Sequence, residues 1–218
     1  NDTVRYNSCF GKGERFIMRK LLLLSFVILS CTMAADAQST LMAKANELKK
    51  LHTKINKAVT NDDRQNAEIA FFNAFPGTFS ELDNLYGFQH DRPMPLYHEA
   101  ENHILKGFNK ISAVNDTLYY SKIIAIAIGG KWDADAISCF QYGLSKRIFE
   151  NTELTASLLE KHDDAEIRGF WYFVFDGPHP ENKIPSKLVE LRRTHKRVYE
   201  LMLSGHKQVL QESDHHGH

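Results

Sequence analysis

The run His98-Glu99-Ala100-Glu101-Asn102-His103 nearly spells the helix of a zinc protease. That chemistry needs two histidines at i and i+4, so that both face one ion, with a glutamate as base. Here the histidines stand five apart, about 500° of rotation on a regular helix, which points them roughly 140° apart. They cannot chelate one ion from such a helix. Glu99 and His103 do share a face at i and i+4, as a hydrogen-bonded pair or as two metal ligands. A closed zinc site needs about four ligands, so no metal is assigned.

A second cluster is Lys131-Trp132-Asp133-Ala134-Asp135. Paired carboxylates divide into acid and base when their environments differ, and an aromatic beside them suits a sugar ring. Against this, aspartates at a helix start are expected as caps and as partners of the helix dipole. A third candidate is Trp171 in the block Phe170-Trp171-Tyr172-Phe173-Val174-Phe175, followed by the loop Asp176-Gly177-Pro178-His179-Pro180. So aromatic a helix is expected to lie in the core, with a ligand groove near Asp176 to His179 as the alternative. The tail Asp214-His215-His216-Gly217-His218 offers imidazoles, but ordering a free tail on a metal keeps such affinity modest. No glycine-rich phosphate loop, Gly-x-Ser-x-Gly elbow, CxxC or CxxCH occurs, and no cofactor is assigned.

The elements that carry these residues read as helices. The chain has 218 residues, 43% hydrophobic and 25% charged, with 27 basic and 27 acidic side chains. This composition is globular, and the balance of charge gives no case for nucleic acid. Apolar residues at helical spacing predict a first helix from Ser39-Thr40 to Val59 and a second, capped by Asn61, that ends at Pro76-Gly77. Thr78 and Glu81 form a capping box for a short helix stopped by Gly87. Residues 96–114 read as one helix with Gly107 as a weak point. Asn115 caps the next, which ends at Gly129-Gly130; its Ile-Ala-Ile-Ala-Ile run also permits a strand, but the cap and the glycines favour helix. Further helices start at Asp133 or Asp135, at Thr152 and after Asp164. A long final one runs from Pro185 to Gly205. Eight or nine helices make an all-α fold, a compact irregular array of antiparallel hairpins.

Ahead of the helices, Met18-Arg19-Lys20 and the apolar residues 21–29 have the layout of an export signal, too short to cross a bilayer. Residues 1–17 are then an upstream extension and 18–37 a signal peptide cleaved after Ala35-Asp36-Ala37. If Ile28-Leu29-Ser30-Cys31 acts as a lipobox instead, the signal is 18–30 and Cys31 carries lipid. Residues 38–205 form one helical domain, and 206–218 a polar, histidine-containing tail. Removing residues 1–37 leaves Cys139 as the lone thiol, expected in the core, and a net charge of −2.

The stretches Phe71-Phe72-Asn73-Ala74-Phe75-Pro76-Gly77-Thr78-Phe79, Leu85-Tyr86-Gly87, Glu101-Asn102-His103-Ile104, the segment from Ile126 to Ala136 and the Phe170–Phe173 aromatics resemble a group of small exported all-helical proteins of Gram-negative anaerobic bacteria. The resemblance implies a helical fold and export, and brings no activity or catalytic residue with it. The expected function is a non-enzymatic binding or interaction module of the cell envelope. Its partner is a protein or another envelope component, and it touches the membrane only through lipid on Cys31. The alternatives are a hydrolase of envelope glycan or peptidoglycan fragments, using Asp133, Asp135 or the Glu99–His103 pair, and a metal or small-ligand carrier using His103 and the tail.

Overall fold

A computed structural model describes residues 38–134 and 136–216. The chain divides into two compact units, 1–43 and 44–218. In the first, the described residues 38–43 are helical. The second is all-α among its described residues, apart from a two-stranded antiparallel ribbon pairing Phe88 with Pro93 and Gln89 with Arg92.

Its helices are α1 (44–57 of this unit), α2 (Asn61–Ala74), α3 (Phe79–Tyr86), α4 (Asp116–Ala127), α5 (Ala136–Glu150), α6 (Thr152–Leu159), α7 (Asp164–Phe175), the one-turn α8 (Ser186–Val189) and α9 (Leu191–Thr194), and α10 (Lys196–His216). Local side chains set the starts of α2, α3, α4, α6 and α7. Asn115 accepts the Leu118 N–H at 3.0 Å, and Thr78 accepts the Glu81 N–H at 3.2 Å. Glu81 does not close the expected box on Thr78; its carboxylate accepts the N–H of Gly77 at 2.8 Å. Two caps fall one residue earlier than expected. Thr60, not Asn61, caps α2, and Asp163 forms a reciprocal box with Glu166 at the start of α7. The isoleucine-rich run is helical through Ala127.

Two segments depart from expectation. Residues 96–114 are not one α-helix but a 3-10 turn (Tyr97–Glu99), a π-helix (Glu101–Gly107) and a second 3-10 turn (Phe108–Lys110). The π-helix ends where it meets α1: a Cβ on Gly107 would stand 3.0 Å from the His52 ring. The second departure is the final helix, expected as one from Pro185 to Gly205 but broken into α8, α9 and α10. Gly205 does not end it but sits inside α10, where a Cβ would lie 2.8 Å from the Arg168 carbonyl and 2.9 Å from the Tyr172 amide. Glycine here lets α10 lie against α7. The expected polar tail is therefore helix through His216, with His206 and Val209 buried.

The core is aromatic. Phe71, Phe75, Tyr86 and Phe108 are buried on one side, with the Phe75 and Phe108 rings stacked at 4.0 Å. On the other side α7 buries Ile167, Phe170, Trp171 and Phe173. Each such side chain withdrawn from water stabilises the fold by about 1.5–3 kcal/mol. Among the described residues no helix is long and apolar enough to cross a membrane.

Candidate functional site

The π-helix turns His103 into the interior, 2% exposed, while His98 stays at the surface. The Nδ1 of His103 shares a hydrogen bond of 3.1 Å with the Tyr86 hydroxyl. Its ring lies 4.7 Å from that of His52 and edge-on to Phe71. Burial, then the nearby His52 and Lys49, push the His103 imidazole down to about 4. Burial lowers His52 too, against the opposing charge of Glu99, and raises the Tyr86 hydroxyl. A neutral imidazole on a buried phenol ties the π-helix to α3. Among the described residues no group of three histidine, cysteine or acidic side chains is placed to hold a metal. His52 and Tyr86, distant in sequence, left no local signal of this cluster.

The second cluster is structural where it is described. Asp133 accepts the Ala134 N–H at 2.8 Å, and the Trp132 N–H donates to Asp176 at 2.7 Å. Trp132 and the half-buried Asp133 thereby sit in a loop laced to the end of α7. Trp171 is fully buried between Phe170 and Phe175, so it is a core residue that presents no ring to a ligand. Its Nε1 has no hydrogen-bond partner. His179 is exposed on a loop whose start is held by Gln141, which donates to the carbonyls of Phe173 and Asp176. Cys139 is half-buried on α5. Cys31, Asp135 and the side chains of residues 214–218 lie outside the described residues.

A hollow of about 610 Å³ lies elsewhere. That volume falls within the range of small-molecule sites, about 300–1,000 Å³. Its walls are the second 3-10 turn, the turn over 111–115, the start of α4 and one stripe of α5, where Tyr142, Lys146 and Glu150 recur at i, i+4 and i+8. Arg147 forms the floor. Its guanidinium donates to the Asn109 carbonyl at 2.9 Å, pairs with Glu150 at 3.2 Å and covers the Tyr119 ring at 4.7 Å. Tyr119 in turn donates to Asn109, and burial pushes its hydroxyl up to about 12 against the pull of Arg147. Gly143 admits the Asn109 side chain against α5, since a Cβ there would collide with its amide.

A buried carboxylate fixes the opposite wall. Glu68, 3% exposed, accepts the N–H groups of Ser112 at 2.9 Å and Ala113 at 3.2 Å and pairs with Arg64 at 3.0 Å. Burial alone would raise this carboxyl, but those hydrogen bonds and Arg64 outweigh it and hold it below the usual range. The rim is cationic: Lys110 and Lys146 have no ion-pair partner among the described residues. Tyr142 stands 69% exposed beside them.

Two smaller hollows accompany it. One, of about 480 Å³, lies between α1 and α2 around Val59 and Ala67; the other, of about 290 Å³, lies around Gly129, Lys131 and Arg168. No family model, curated protein or solved structure matches this chain.

Proposed function

We propose that the protein is a non-enzymatic binding module of the cell envelope, and that the cleft between residues 109–116 and α5 is its ligand site. The observation that carries this reading is the clamp on Arg147. Three partners hold the guanidinium at the floor of a 610 Å³ hollow before any ligand arrives. A site fixed in advance spends little of its binding energy on ordering side chains. Glu68 does the same for the facing turn. Placement in the envelope rests on the leader layout of residues 18–37 and on the resemblance to exported helical proteins, and lipid on Cys31 would supply a membrane anchor.

The test is retention of small molecules. Purified protein is incubated with a low-molecular-weight extract of bacterial envelopes, separated by gel filtration, and the retained compounds are identified by mass spectrometry. The double variant Lys110→Glu, Lys146→Glu is run beside it. Retention by the native chain and loss in the variant is the expected result. No compound retained, or equal retention by both, overturns the assignment of the cleft.

A further inference from the structure

Resting on that reading, we propose that the cleft takes a small acidic sugar: a ring with an aliphatic face for Tyr142 and a carboxylate for the two rim lysines. The charge pattern supplies the first half of the inference. Within the cleft Arg147 and Glu150 neutralise one another through their contact at 3.2 Å. The remaining charges are Lys110 and Lys146 against Asp116, an excess of one positive charge. Asp116 lies in the first turn of α4, where the helix dipole already stabilises it. Both lysines are exposed and line the same hollow, and neither has to break an ion pair to meet an anion there. An ammonium-to-carboxylate hydrogen bond is among the stronger polar contacts available to a small ligand.

Tyr142 supplies the second half. Among the described residues it is the most exposed aromatic of the large apolar side chains, and it stands one helical turn from Lys146. A ring resting on its face would bring a carboxylate within reach of Lys146, while Asp116 and the Ser112 hydroxyl oxygen, whose own proton goes to Glu68, offer acceptors to hydroxyl groups from the facing wall. A bare inorganic anion would use the lysines and leave the aromatic face and these groups unpartnered. A neutral sugar would use the ring face and leave both ammonium groups without a counter-charge. The combination fits a ligand that carries both.

Isothermal titration of the full chain at pH 7 compares three probes: glucuronate, glucose and inorganic phosphate. Glucuronate is expected to bind with half-saturation in the millimolar range or below, as suits a ligand of its size, and at least tenfold more tightly than the other two. Lys110→Ala and Lys146→Ala should each weaken it roughly tenfold, and Tyr142→Ala by about two- to tenfold. All three side chains are exposed, so these variants fold; Lys54→Ala, in the hollow beside α1, should change nothing. Raising salt from 50 to 500 mM should weaken glucuronate and leave any glucose binding unchanged.

Equal binding of glucose and glucuronate overturns the acidic half, and equal binding of phosphate overturns the sugar half. Either leaves the cleft standing as a binding site if the lysine variants still abolish retention of envelope compounds. Glucuronate binding that ignores all three substitutions overturns the proposal outright.

Discussion

Acid should destabilise this protein through His103, and the size of the effect follows from its surroundings. In the unfolded chain the imidazole takes up a proton near 6.5; in the fold, burial and His52 delay that step to about 4. Above 6.5 both states are neutral and the residue contributes nothing to pH dependence. Between 6.5 and about 4 only the unfolded state binds the proton, so stability falls as pH falls. Two and a half units at 1.36 kcal/mol each give a loss of about 3 kcal/mol, a large share of the 5–15 kcal/mol typical of a domain. His52, lowered for the same reason, adds in the same direction. Glu68 and Glu81 also lose their contribution in acid, but through a window that opens only below 4.5. Urea unfolding at steps from pH 7 to 4, on the native chain and on His103→Gln, isolates the histidine, because glutamine can still hydrogen-bond Tyr86. The native curve should fall about 3 kcal/mol further than that of the variant. Parallel curves, or a His103 ring that titrates near 6.5 in the folded protein by NMR, would refute the reasoning.

Other substitutions test the fold where it departs from simple pattern. Glu68→Gln should destabilise by about 2–4 kcal/mol, because it leaves Arg64 and two amides without their charged acceptor; amide exchange at Ser112 and Ala113 should accelerate. Gly205→Ala should cost about 1–3 kcal/mol by forcing α10 away from α7, read as a lower urea midpoint. Trp171→Phe should cost under about 2 kcal/mol, since the smaller ring removes an unpartnered buried N–H, whereas Phe170→Ala should cost about 3–5 kcal/mol. Equal losses at the two positions would mean that the Trp171 N–H is satisfied after all.

The features legible in the sequence are those decided within one helical turn. Asn115 and Thr78 cap because their oxygens reach an amide three residues on, and Phe170 and Trp171 are buried because an aromatic helix has nowhere else to go. The site was not legible, because long contacts make it. Glu68 meets a turn 44 residues away, and Arg147 meets a carbonyl 38 residues away. Neither pairing leaves a periodic trace. The Glu99–His103 spacing misled for a related reason. Its i, i+4 geometry presumes an α-helix, and the contact of Gly107 with His52 accompanies a π-helix instead. Gly205 reads as a stop because a terminating glycine and one crossed closely by a neighbouring helix look the same in one dimension.

The most direct measurement is an NMR map of backbone amides while the envelope small-molecule fraction is titrated into the protein. The cleft reading predicts that the shifted resonances gather at residues 109–116 and 142–150, on the two walls facing Arg147. Shifts gathered instead around His52, Tyr86 and His103, or around Gly129 and Arg168, would contradict it, as would no shift at all.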